Sequence, residues 1–245
     1  MALTGCKKDS DTTPQVGTVD LEFEQTVGSA PLTLSTQTYT TPAGDQFKVT
    51  TFRQYISNIK LTKTDGSQYA VPESYYLLDA AAPASLHLDL KNIPTGDYKA
   101  LTFTVGVDSV RNVSGAQTGA LDPNNGMFWT WNSGYIYTKF EGYSTQSPSG
   151  GLVFHIGGFK SPNNTIRTVT LPFATGTTLL VRNDHAPEIH LNADVMKMFV
   201  GTTGVAGTTD IRFATLSNTM GGANSVPVAN NIAAGMFSIE HIHAN

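Results

Sequence analysis

The chain has 245 residues, enough for one large domain or two small ones, and a chain of this size buries roughly 70% of its unfolded surface. Charged residues make up only 14% and the formal net charge is -4, so there is no basic field for nucleic acid and no polybasic patch for a membrane surface. With 23 Gly, 12 Pro and many Thr, Ser and Asn between short apolar runs, the composition suits strands and turns, and an all-β protein is expected.

In chain order, the single cysteine comes first, in Leu3-Thr4-Gly5-Cys6. This matches the bacterial lipobox, in which a small residue precedes a cysteine that becomes the acylated first residue of a lipoprotein. Each buried acyl CH₂ contributes about 0.8 kcal/mol, and stable anchoring takes at least two chains. Cys6 is therefore the expected lipidation site, and the expected location is the bacterial cell envelope, with the protein held on the outer membrane by lipid alone. The polar run KKDSDTTPQVG that follows has nothing to bury and reads as a leash with a root-mean-square reach of about 20 Å. Residues 1–18 are assigned to lipobox and tether, and 19–245 to one domain.

That domain opens at Val19-Asp20-Leu21-Glu22-Phe23, a period-two alternation of apolar and polar residues. Similar runs follow at 47–62, 75–79, 85–90, 98–108, 135–142, 152–157, 165–173, 177–182, 188–199 and 236–242. Turn residues such as Thr64-Asp65-Gly66 and Asp122-Pro123-Asn124-Asn125-Gly126 separate many of them. The spacing predicts a β-sandwich or jelly-roll with long loops. ADVMKMF and NSVPVANNIAAG are the two stretches with room for a helical turn or two.

Motifs for catalysis are missing: there is no GxSxG elbow, HExxH, CxxC, P-loop or GxGxxG, so binding is expected rather than turnover. The six histidines are more informative. His241 and His243 lie two apart in a strand, so alternation sends both rings to one face, where they can share a metal. His155 sits among apolar neighbours in Val153-Phe154-His155-Ile156 and needs a partner, since an unpaired buried imidazole costs about 1–3 kcal/mol. With one cysteine and few carboxylates, a borderline metal would be held by imidazole, which suits copper, zinc or nickel.

Both tryptophans fall in Gly126-Met127-Phe128-Trp129-Thr130-Trp131. In a strand, Trp129 and Trp131 would project to the same face. They can anchor an aromatic core with Tyr135 and Tyr137, or flank a pocket as a platform for sugar rings.

The strings GALDP (119–123), GMFWTWNSGYI (126–136), KFEG (139–142) and FHIG (154–157), supported by FRQYISNI (52–59), YLLD (76–79) and GVDS (106–109), resemble the MbnP-like family. The likeness runs over about residues 19–243, and its WxW core is its most specific part. Members are copper-binding periplasmic or surface proteins first recognised beside methanobactin operons, with a lipoprotein branch in Bacteroidota. The resemblance implies copper as the cofactor and a tryptophan, Trp129 or Trp131, oxidised to kynurenine by a di-haem partner of the MauG and cytochrome c peroxidase type. Kynurenine offers an amine and a ketone where indole has only a non-basic N–H. It also implies His155, in the family's FHxG element, as the leading ligand, followed by His190 and His241, with His243 an alternative to His241. Imidazoles and indole, or its oxidised form, are then expected to converge on one cavity. The alternative reading is a surface module that captures glycans on the Trp129/Trp131 pair for a neighbouring TonB-dependent outer-membrane transporter.

Overall fold

The computed structural model describes residues 15–131 and 134–243. Cys6 and most of the expected tether lie outside the described residues. The first strand runs Val16–Val27, starting three residues before the alternation becomes visible, because Val16 and Gly17 pair with Pro94 and Ile93.

Among the described residues the strands form two main sheets and a small two-stranded hairpin, as the alternating runs predict. The smaller main sheet orders Phe237–His243, Glu188–Asp194, Val16–Val27 and Ala30–Pro31, with His87–Pro94 also paired to Val16–Val27. Its central pairing, Val16–Val27 with Glu188–Asp194, is parallel. The larger sheet is built on Gln46–Lys63, an 18-residue strand that pairs with Gly96–Val105 and with Thr138–Tyr143, and Thr138–Tyr143 in turn pairs with Gly151–Ile156.

The inner faces meet in one apolar core. Leu21, Phe23, Ile189 and Leu191 come from the smaller sheet; Phe52, Phe103, Phe140 and Phe154 come from the larger. Phe199 lies edge-on to Phe140 and Phe154, with ring centroids 5.1 and 5.2 Å away, in the T-shaped arrangement that the ring quadrupoles favour. The stretch with room for a helical turn forms the helix Ser225–Gly235, which adds Val228, Ala229 and Ile232 to this core. Pro227 sits in its first turn, where backbone N–H groups have no intrahelical partner to lose. No helix among the described residues is long and apolar enough to cross a membrane.

Alternation along Gln46–Lys63 sends Tyr55 to the opposite side from Phe52 and Ile56. Tyr55 there joins Leu121, Met127, Trp129, Tyr135 and Tyr137 in a second aromatic cluster on the outside of the larger sheet. The tryptophan strand differs from expectation. Phe128–Trp129 is only two residues long, paired with Gly134–Tyr135, and Trp131 falls in the turn that follows.

Candidate metal centre

Because Ile189 and Leu191 point into the core, Glu188 and His190 point outward; because Leu21 and Phe23 point in, Asp20 and Glu22 point out. Register sets these side chains in two rows across four strands. One row is His87, Glu22, His190 and His241; the next is Asp89, Asp20, Glu188 and His243. A bulge in the last strand, where His190 pairs with His241 but Leu191 with Ile239, leaves Glu240 as the extra residue. It allows Ile239 and Ile242 to pack inward while His241 and His243 both reach the outer face.

One ring nitrogen from each of His190, His241 and His243 lies within 4.8 Å of the others. His190 stacks on His241 with centroids 4.2 Å apart and planes 19° apart, and His243 stands edge-on to both at 5.0 and 4.6 Å. His190 also lies between two carboxylates: Nδ1 is 3.2 Å from Glu22 and Nε2 is 3.2 Å from Glu188. The second contact is short but misaligned, and Nε2 is buried without a hydrogen bond. A buried nitrogen without a partner is costly in an apoprotein, and a metal ion is one way to satisfy it. Nitrogens bound to one tetrahedral ion at about 2.1 Å stand about 3.5 Å apart, so small rotations of the two exposed rings close this set on an ion. The residues present therefore fit a borderline metal. Burial, and then the charges of Asp89 and Glu188, push the Asp20 carboxyl above its ordinary value.

His155 is placed elsewhere. Phe154 and Ile156 enter the core from Gly151–Ile156, so His155 faces outward from the larger sheet. Its Nε2 donates to the Glu141 carboxylate at 2.8 Å, the partner that its apolar surroundings call for. Burial holds the imidazole below its ordinary value despite the pull of Glu141, and the Lys139 charge adds to the effect of burial. Glu141 ends below the usual carboxylate range: burial raises it, but the His155 hydrogen bond, the Lys139 charge and the Thr51 hydroxyl outweigh that.

The tryptophans share this second face. Their ring centroids are 5.6 Å apart and tilted by 46°, with Trp129 only 5% exposed and Trp131 64% exposed. Trp129 lies on the Gly157 backbone, and its indole nitrogen is buried without an acceptor. Trp131, Phe159 and Met220 line the adjoining cavity, about 960 Å³ in volume. His155 pairs directly with Met220 across the strands.

The structure thus brings together His190, His241 and His243, and sets His155, Trp129 and Trp131 on the far side of the sandwich. Packed sheets lie about 10 Å apart and a metal–nitrogen bond is about 2 Å long, so the single cavity expected from the sequence becomes two separate faces. Sequence reasoning missed Glu22, Glu188 and Glu141, and it passed over His87, which lies 3.6 Å from Glu22. The only available signal was that Asp20-Leu21-Glu22 and Glu188-Ile189-His190 carry these groups in the polar phase of their alternation.

Fold and face define a two-layer β-sandwich that displays imidazoles and carboxylates on the outside of its smaller sheet. The chain belongs to the MbnP family, whose model matches residues 16–221. His241 and His243 lie beyond the matched segment. The solved structure of MbnP from Methylosinus trichosporium is similar to it in fold, with a TM-score of 0.50 and 16% sequence identity over 92% of this chain and 98% of that one. The comparison with curated proteins gave no match.

Proposed function

We propose that this protein is a copper-binding member of its family, holding the ion on His190, His241 and His243 for capture, storage or delivery at the cell envelope. The observation that carries this reading is the convergence of three imidazole nitrogens within 4.8 Å, one ring having a buried nitrogen without a hydrogen bond. Imidazole is a good donor for copper, and when bound the ion supplies the affinity that satisfies that nitrogen. The reading includes a lipid anchor at Cys6, with membrane attachment through lipid alone. It also includes oxidation of Trp129 or Trp131 by a di-haem partner as a separate event on the opposite face, where kynurenine does not ligate the three-histidine ion. His155 serves there as Glu141's partner. Glycan capture, with hand-over to a TonB-dependent transporter, is less well supported, because a two-ring platform needs both indoles exposed and Trp129 is buried.

Calorimetric titration with copper tests this. His190→Ala is expected to weaken binding by at least about tenfold, equivalent to 1.4 kcal/mol, whereas His155→Ala leaves it nearly unchanged. Wild-type affinity in His190→Ala would overturn the assignment of this face.

A further inference from the structure

The tryptophan face carries a cavity that the copper reading does not use. Its volume, about 960 Å³, lies at the upper end of the range for small-molecule sites. Seven large hydrophobic side chains are exposed among the described residues, and three of them, Val113, Trp131 and Met220, line this one cavity. A fourth, Val110, stands one turn from Val113 on the short helix Ser109–Val113. Exposed apolar residues are ordinarily scattered singly, and a group of them around a concavity marks a binding surface. The lining sets the chemistry of the occupant. Trp131 and Phe159 offer aromatic faces, and Met220 a polarisable thioether that packs well against rings. Trp129 forms part of the wall, and its indole N–H has no acceptor.

We propose that this cavity binds a small planar aromatic anion, a carboxylate or sulfonate on a ring system, which stacks on Trp131 and sets its acid group at Lys160. Lys160 is the one charged side chain among the described lining residues, and no carboxylate lines the cavity there. Its ammonium lies 5.3 Å from the Phe159 ring centroid and makes no ion pair among the described residues, so its charge is free for a ligand. An acid group held there makes a charge-assisted contact, and offset or edge-on ring contacts add to the burial of apolar area. A polyol fits less well. The Asn112 side chain already donates to the Val107 and Asp108 carbonyls and accepts from the Tyr135 N–H, which leaves it little capacity to read a ring of hydroxyl groups. The proposal is independent of the copper reading, whose histidines lie on the other face.

The test titrates protein whose tryptophans are both intact by mass with two fluorescent probes. One is 1-anilinonaphthalene-8-sulfonate, an aromatic sulfonate; the other is N-phenyl-1-naphthylamine, the same rings without the acid. The expected result is saturable binding of one sulfonate probe per chain. Lys160→Gln should weaken the sulfonate at least about fivefold and the uncharged probe by less than about twofold, and Trp131→Ala should weaken both at least about tenfold. Both substitutions are at exposed positions, and melting curves confirm that the variants fold. Sulfonate binding that neither substitution alters, or that never saturates, would overturn the proposal. So would a wild-type dimer that Trp131→Ala turns into a monomer, since a second copy of the chain would then be the occupant.

Discussion

Gly157 supports the Trp129 ring. A Cβ built there would lie 2.5 Å from the Tyr135 carbonyl oxygen and 2.8 Å from two atoms of the six-membered indole ring. The carbonyl belongs to backbone and cannot swing aside, so Gly157→Ala must displace either the hairpin or the indole. Overpacking of this kind costs about 1–3 kcal/mol. Chemical denaturation is expected to show that loss, together with a red-shifted tryptophan emission as Trp129 moves toward water. Unaltered emission and stability would mean that the ring does not rest on this glycine. Asp45 shows the same dependence on close contact in a polar setting. Its buried carboxylate accepts from Arg212 at 3.0 and 3.1 Å and from the Phe213 N–H at 3.1 Å, and the Arg212 hydrogen bonds hold its carboxyl below the usual range.

Between elements, the Glu141–His155 contact ties Thr138–Tyr143 to Gly151–Ile156 and makes their pairing sensitive to pH. Burial lowers the affinity of folded His155 for a proton, so below about pH 6.5 the unfolded chain binds protons that the folded chain does not, and stability decreases as the pH is lowered. Glu141, depressed in the folded state, loses its contribution as pH drops further through its own folded value. Denaturation midpoints measured at pH 7.5 and 5.5 should therefore fall more steeply for the wild type than for His155→Gln. Equal slopes would show that this imidazole is not held neutral by its surroundings. The last strand, Phe237–His243, joins core and candidate site in one element: Phe237 packs edge-on to Phe103 at 5.0 Å, while His241 and His243 stand on the outer face.

For the whole molecule, a ligand that binds only the folded state stabilises it by mass action. On the proposed function, copper at 100 times its dissociation constant adds about 2.7 kcal/mol, so the melting temperature should rise on loading and the rise should vanish in His190→Ala. The sandwich core separates the histidine face from the tryptophan face by a packed-sheet spacing of about 10 Å, so the rise should be the same whether or not a tryptophan has been oxidised. A rise that depends on oxidation would place the two chemistries in one site.

By itself the sequence determined the longer strands, many of the turns between them and, within a regular strand, which neighbours share a side, because period-two alternation and turn chemistry are local properties. It marked His241 and His243 as sharing a face, and the stretch 224–235 as having room for helix. Only tertiary structure decided which side of each strand meets the core and which strands lie side by side. Glu22 pairs with His190 through a parallel register between strands far apart in the chain, and the bulge at Glu240 decides where His241 and His243 emerge. Trp129 and Trp131 could not be assigned from alternation, since the strand ends between them and leaves one ring buried and the other in solvent. The physical reason is the same in each case: long-range hydrogen-bond partners and burial in a common core set register and facing, and a one-residue shift reverses every side chain.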